Sequence, residues 1–349
     1  MSTSIVGVDI GNGMIRAVEL ADPAKPKPTL LRHAEVPLPE GAVNRGEVLE
    51  PNTVAAALRE LWRKGGFKTR DIVLGMGNQR VLARDLAMPL MSIERIRESL
   101  PFHVQDMLPV PVADALLDFY PVSYGQSEGG PVVNGLLIAA VKDAVLANVR
   151  AAELAGLTPV DVDLIPFALS RVLLTRGEPS GFSALVDIGA NTTTVVIAAD
   201  GVPQFVRIIP AGGSDMTEAL RSGLEIAPHE AEGVKRTLGL ASQVSSVDEQ
   251  RAVEIIYQAA GELLSSLRNT INYFVNTRPD ARVERVVLSG GGAGLQGLPE
   301  ALGEMTRLPV VPGDPYVAVG LSRSLNADEL RAKRSSLTVA LGLAIGSAA

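Results

Sequence analysis

The sequence predicts an α/β protein of two lobes, built on a duplicated strand–turn–strand unit, with a smaller α/β unit inserted in its first half. Three observations predict it. The chain has 349 residues, beyond the roughly 250–300 at which one core usually splits. The run Val6-Gly7-Val8-Asp9-Ile10-Gly11 returns half a chain later as Ala184-Leu185-Val186-Asp187-Ile188-Gly189, and each copy turns into a second strand. Between the copies, Arg84 to Pro159 reads as a self-contained alternation of strands and helices.

Each element follows from its local pattern. Ile5–Asp9 and Ile15–Leu20 are strands joined by a tight turn at Gly11 and Gly13. Pro23–Pro28 is an exposed loop and Leu30–Pro37 a third strand. Asn52–Lys64 has the helical spacing Val54, Leu58, Leu61, with Gly65-Gly66 as its stop. Ile72–Gly75 is a strand. In the insertion, Arg84–Met88 is a strand and Ser92 caps a helix to about Val104. Leu116–Val122 and Val132–Val141 are strands around a Gly/Ser loop at Gly125–Pro131, and Asp143–Ala155 is a helix stopped by Gly156. In the second half, Thr193–Ala198 is a strand. Helices are expected from Ser214 or Asp215 to Leu224, over Pro228–Leu238, and over the long amphipathic span Val247–Thr277. Arg285–Ser289 is a strand, Leu298–Thr306 a helix, Pro309–Val311 a short strand and Ser336–Ile345 a final helix.

Composition closes off several functions. With 46% hydrophobic and 20% charged residues the chain is not disordered. Its net charge of −7 makes it a poor non-specific nucleic-acid binder. It has no cysteine, hence no disulfide, thiolate nucleophile or Cys-ligated zinc. His33, His103 and His229 lie far apart, without metal-ligand spacing. Met1–Ser4 lead straight into a strand with no targeting leader, and the longest small-apolar stretch, Leu337–Ala349, is too short to span a bilayer. A cytoplasmic protein without direct membrane insertion is expected.

The two Asp-Ile-Gly hairpins carry the first chemistry. An Asp at a strand end can hold a metal-bound water, and Gly beside it lets backbone amides approach phosphate oxygens. Two such turns facing each other would clamp a polyphosphate with Mg²⁺ between Asp9 and Asp187, a cation that keeps waters and takes few protein ligands. The strand ending at Ser289 runs into Gly290-Gly291-Gly292-Ala293-Gly294, which can seat a nucleotide through backbone contact. No Gly-x₄-Gly-Lys-Ser/Thr pattern is present.

These motifs resemble the actin-like (ribonuclease H-like) ATPases, a fold shared by actin, Hsp70 and sugar kinases. Val6–Leu20 resembles the first phosphate loop, which implies phosphate contacts at Gly11, Asn12, Gly13 and Arg16. Leu185–Ala199 resembles the second, with Gly189, Asn191 and Thr192. Val287–Leu295 resembles the adenosine loop, with Gly290, Gly291, Gly292 and Leu295. Gly212 and Gly213 in Ala211–Thr217, followed by Glu232 and Lys235, resemble the FtsA/PilM branch, where such a Glu and Lys sit beside ribose and adenine. Arg84–Met91, Leu108-Pro109-Val110-Pro111 and Leu117–Tyr120 narrow the likeness to the PilM family of type IV pilus assembly.

That resemblance covers about Ser4 to Ile345. It implies subdomain 1A over 1–83, 160–180 and 333–349, and an inserted subdomain 1C over 84–159. It also implies 2A over 181–213 and 284–332, and 2B over 214–283. ATP and Mg²⁺ are the implied ligands. The implied partner is the N-terminal cytoplasmic peptide of a PilN-like single-pass membrane protein, alongside other pilus platform proteins and self-association. The protein would then lie at the inner face of the membrane through its partner.

Two departures matter. Arg16 stands where Lys is common, and Ile165 in Ile165-Pro166-Phe167-Ala168 replaces an acid that related chains carry. Ile cannot orient or deprotonate water. Asp163 could substitute, but reads as a solvated loop residue, and Asp187 is the remaining candidate for a catalytic role. Binding with at most slow hydrolysis is expected. The insertion's apolar residues, among them Leu86, Met88, Leu90, Met91, Phe102 and Leu108, are expected to leave a groove for an extended peptide. The alternatives are an FtsA-like filament-forming division protein, although the sequence shows no basic amphipathic tail, and a small-metabolite kinase. A kinase would need a carboxylate base such as Asp85, Asp106, Asp114 or Asp118.

Overall fold

A computed structural model describes residues 3–176, 181–241 and 243–346. Parts of the expected segments 1–83, 160–180, 214–283 and 333–349 therefore lie outside the described residues.

The first lobe opens with an antiparallel meander of β1 (Ser4–Ile10), β2 (Met14–Ala21) and β3 (Thr29–Pro37). A small hairpin, β4 (Val43–Asn44) and β5 (Glu47–Val48), leads into α1 (Pro51–Gly65). Gly66 ends α1 in the left-handed conformation, φ 61°, donating its N–H to Trp62 O. β6 (Asp71–Met76) then returns parallel to β1. The insertion follows as β7 (Val81–Pro89), α2 (Ile93–His103), β8 (Ala115–Ser127) and β9 (Gly130–Val141). Ser92 accepts from Arg95 N, as its capping role requires. β8 and β9 are longer than expected. Their Ser127–Gly130 connection is a tight hairpin, because the Gly/Ser segment pairs instead of looping out.

α3 (Lys142–Leu154) and β10 (Thr158–Leu164) come next. The sequence reading grouped α3 with the insertion. In the structure Ala151 and Ala152 of α3 share a core with Val54, Leu58 and Leu61 of α1, while β10 pairs in parallel with β6. Both elements thus build on the first lobe's sheet. α4 (Ile165–Ser170), continued by a π-helical turn at Arg171–Thr175, crosses to the second lobe.

There, β11 (Phe182–Ile188), β12 (Thr193–Ala199) and β13 (Val202–Ile209) repeat the meander. α5 (Gly213–Leu224), α6 (Pro228–Leu238) and α7 (Val247–Thr277) follow. β14 (Val283–Ser289), α8 (Leu298–Thr306) and β15 (Val310–Pro312) complete the second sheet. β16 (Gly320–Leu321), α9 (Ala327–Ala332) and α10 (Arg334–Gly346) return to the first lobe.

The duplication is explicit in the topology. One sheet runs β3-β2-β1-β6-β10 with β16 added at its edge, and the other runs β13-β12-β11-β14-β15. In both, the hairpin is antiparallel and the next two strands are parallel. Buried on both faces, β1 and β11 carry near-continuous apolar runs. α4 and α10 lie between the two sheets in one shared core. At Gly7 a Cβ would stand 2.0 Å from Ala340 O, so α10 rests directly on the backbone of β1. The insertion forms its own three-stranded sheet, β7-β9-β8, with α2 on one face.

Candidate functional site

The twin hairpins end alike. Asp9 pairs with Arg16 and Asp187 with Thr194, each one position before the turn. Gly11 N donates to Met14 O at 3.0 Å and Gly189 N to Thr192 O at 2.9 Å, closing equivalent turns. Gly13 holds φ 127°, a conformation that L side chains rarely adopt. The side-chain oxygens of Asn12 and Asn191, one from each turn, are buried without a hydrogen-bond partner. Buried polar atoms are rarely left unsatisfied, and two at equivalent turns mark a place built for a ligand.

The carboxyl of the second hairpin feels the charge of the first. Burial pushes Asp187 up to about 7, with the negative charge of Asp9 adding to the rise and the Ser289 hydroxyl and Arg16 opposing it. Burial also raises Asp9 above the usual carboxylate range, against the pull of Arg16. Asp187 Oδ1 is buried with no hydrogen-bond partner. The guanidinium of Arg16 stands 3.7 Å from both Asp9 and Glu35, beyond hydrogen-bond length, and its buried Nε makes no hydrogen bond. Two carboxylates beside an orphaned acceptor suit a hydrated Mg²⁺. Among the described residues no three Asp, Glu or His converge, so an all-protein metal cage is not built here.

The second-lobe motifs close around the second hairpin. Gly213 N donates to Gly189 O at 2.9 Å and Ser214 N to Ala190 O at 2.7 Å, fastening the start of α5 to the turn. Gly212 is required there, since a Cβ would stand 2.5 Å from Gly189 O. It is also the N-cap of α5, with its N–H donating to the Asp215 carboxylate; Ser214 and Asp215 lie inside the helix. Lys235 Nζ donates to Gly213 O and Thr217 Oγ1, and pairs with Glu232 at 2.6 Å. Burial raises Glu232, but hydrogen bonds from Lys235, Thr217 and Arg236 hold it below its usual range. With a Lys235 side chain only 12% exposed, this is a braced pair and not a solvated one. Gly290, φ 86°, lies against the backbone of Ile188, and Gly292 against its side chain. Gly291 opens the 3-10 turn between them and Leu298, whereas Leu295 is buried in the second-lobe core.

Ser289, Thr217 and Glu35 were not singled out in the sequence. Ser289 could have been found as the last strand residue before the glycines. Glu35 reaches Arg16 only through the β2–β3 register. Asp163 is no solvated loop residue: it lies within β10, half-buried, and its Oδ2 accepts from both terminal nitrogens of Arg171 at 2.9 Å. Ile165 packs over Gly75 and Gly77 as an apolar lid on the end of β6. Asp85 and Asp118 pair with Arg278 and Arg97, and Asp106 and Asp114 are exposed.

Most of the apolar residues from which a groove was expected pack against one another. Met88 of β7 is buried against Ile96 and Leu100 of α2, with Leu86, Met91, Ile93 and Leu108 packed around them, and Leu90 and Phe102 are exposed singly. A cavity of about 330 Å³ opens instead between the insertion and the first lobe. It is lined by residues 116–121 of β8, 162–164 of β10, Phe167 and Arg171. Tyr120 and Phe167 meet across it with ring centroids 4.7 Å apart.

A family model described as type IV pilus assembly protein PilM matches residues 7–348. The chain belongs to the PilM family. A solved PilM–PilN type IV pilus biogenesis complex superimposes with a TM-score of 0.87 and 29% identity, covering 99% of this chain and 98% of that one. MreB5 of Spiroplasma citri bound to AMPPNP (TM-score 0.52, 11% identity, 97% and 94% covered) shares the fold alone. The fold is that of the actin-like ATPases. Cell division protein FtsA of Bacillus subtilis is 23% identical over 307 residues, 75% of this chain and 68% of that protein. FtsA of Streptococcus pneumoniae is 30% identical over 176 residues, 46% of this chain and 38% of that protein. The chain spans about two thirds of the first and well under half of the second. No described helix is long and apolar enough to cross a membrane.

Proposed function

We propose that this chain is an ATP-binding scaffold of a type IV pilus assembly platform, held at the cytoplasmic face of the membrane by the N-terminal peptide of a PilN-like protein. The observation that carries this reading is the whole-length likeness to a PilM–PilN complex. In the cleft, the amides of Asn12 and of residues 190–192 would take the phosphates, and Arg16 would exchange its long contacts with Asp9 and Glu35 for one to phosphate. Asp9 and Asp187 would hold Mg²⁺ through its waters, and the ion would neutralise phosphate charge. Glu232 and Lys235 would stand beside the sugar and base, with residues 290–292 beneath. Ile165 leaves no carboxylate to deprotonate water from that side, so turnover would be slow.

The peptide's seat would be the cavity between β8 and β10. Both are edge strands of their sheets, and an edge strand offers backbone groups that an extended peptide can pair with. Leu116, Leu117 and Phe167 would receive its apolar side chains. The test is calorimetric titration of the full chain with a synthetic peptide of the cytoplasmic N-terminus of the PilN-type protein of the same species. Leu116→Glu should weaken binding about tenfold or more, roughly 1.4 kcal/mol, with MgATP affinity kept. Equal affinity for both proteins would refute this seat, and no binding to either would refute the partner. The FtsA relatives support a second reading as a filament former, which sedimentation with MgATP distinguishes: pelleting favours it.

A further inference from the structure

The insertion packs on β13 of the second lobe, and an ion pair between residues far apart in sequence also ties the two together. Asp85 lies on β7 and Arg278 caps the C-terminus of α7. Arg278 Nη2 donates to Asp85 Oδ1 at 2.9 Å, while Nη1 donates to Gln204 O at 2.9 Å and the guanidinium stacks over Phe274, 4.9 Å from its centroid. The second lobe therefore fixes the guanidinium from two sides and presents it to the insertion. The seam around the pair is open. A second cavity, of about 400 Å³, is lined there by Leu86, Val122, Ser123, Asn134 and Gly135 along with the pair itself.

The two cavities meet on one strand. Residues 116–121 of β8 line the first and residues 122–123 the second. At that division the ladder slips: Pro121 pairs with Gly135, and Ser123 with Asn134, leaving Val122 as a bulge. A bulge bends its strand and loosens the local pairing. Gly135 opposite it admits no side chain, since a Cβ would stand 2.3 Å from Tyr120 O. At its other end the sheet is anchored to the first lobe, because β9 ends at Val141 and α3 begins at Lys142 with no loop between. The sheet is thus anchored on one lobe, packed on and ion-paired to the other, and jointed between two cavities. Arg278 in turn ends the helix whose Ile256, Ala260 and Leu263 share a core with Met216 and Leu220 of α5, the helix fastened to the second hairpin.

We propose that the Asp85–Arg278 pair is a clasp that links the nucleotide state of the interlobe cleft to the shape of the cavity between β8 and β10. It rests on the reading above of both sites. A ligand that draws the second lobe toward the first moves Arg278. Asp85 follows through the ion pair, and the joint at Val122 carries the displacement into residues 116–121. By linkage, a peptide in that cavity then changes nucleotide affinity by the factor by which nucleotide changes the peptide's.

The test is amide hydrogen exchange of the full chain with and without saturating Mg–AMPPNP, whose binding is measured by calorimetry. It needs no peptide. Exchange in residues 81–89 and 115–127 should change by about fivefold or more on nucleotide binding. In Asp85→Asn that change should vanish, while the changes in residues 9–16 and 187–194 persist. Asp85→Glu, which keeps the carboxylate and leaves the bonds of Arg278 to Gln204 and Phe274 in place, should retain it, which a response carried by packing alone would not require. The clasp is overturned if the insertion's response survives in Asp85→Asn, or if wild-type protein saturated with nucleotide shows none. Absence of any calorimetric binding would overturn the nucleotide reading and the clasp with it, and is recognised by unchanged exchange in the cleft as well.

Discussion

Replacing Asp187 by Asn should make the ligand-free protein more stable, increasingly so as pH rises from about 4 to 7. The carboxyl is pushed from 3.8 to about 7 in the folded chain. A raised carboxyl binds a proton in the folded state that the unfolded state has released, so its contribution is fully present below about pH 4 and is lost as pH rises through 7. Three units at about 1.4 kcal/mol each give about 4 kcal/mol lost by pH 8. Asn keeps an acceptor for the Ser289 hydroxyl and removes the repulsion from Asp9, and it has no proton to lose. Urea unfolding followed by circular dichroism, in chelator and without nucleotide, should give nearly equal stabilities at pH 4. At pH 8 the variant should be ahead by up to about 4 kcal/mol. An equal difference at both pH values would refute the argument, because it would place the effect in packing and not in ionisation.

Three further outcomes are expected. Asp9→Ala should weaken MgATP far more than metal-free ATP, and equal losses in the two titrations would remove its metal role. Hydrolysis should run below the ~1 s⁻¹ low end of typical enzymes, and turnover of tens per second that Asp187→Ala abolishes would show a water-activating group other than the one Ile165 displaces. Gly212→Ala should cost about 1–3 kcal/mol from overpacking and loosen α5 from the second hairpin, so nucleotide affinity should fall with stability; an unchanged titration would free α5 from the site.

Much of the fold was legible because its signals are local. Both hairpins announce themselves through a buried strand, an Asp and a Gly turn within a few residues, and α7 shows its bounds through caps and spacing. What failed was whatever depends on a distant partner. β13 went unread because Pro203 and the turn at 200–201 mask a strand that exists by pairing with β12. α3 was grouped with its sequence neighbours, while its small residues Ala151 and Ala152 fit α1. The peptide groove was sought among the most apolar residues of the insertion, yet those satisfy one another under α2. The cavity falls along β8 at the edge of that sheet, where Tyr120 meets Phe167 across a boundary that no local pattern marks. One practical result is that deleting 84–159 would strip α3 and part of β10 from the first lobe's core, so point substitutions are the proper probe of the insertion.

The contact of α10 with Gly7 bears on how the chain is assembled during synthesis. β1 leaves the ribosome long before α10, and its central position in the sheet needs the helix carrying Ala340 and Ala344 laid across its backbone. The second sheet, by contrast, takes all five strands from the continuous stretch 182–312. Domains form as units while the chain emerges, and long-range pairings come last. The second lobe can therefore complete its core first, while the first-made strands wait, partly uncovered, until residues 337–345 arrive to shut the core that joins the two halves.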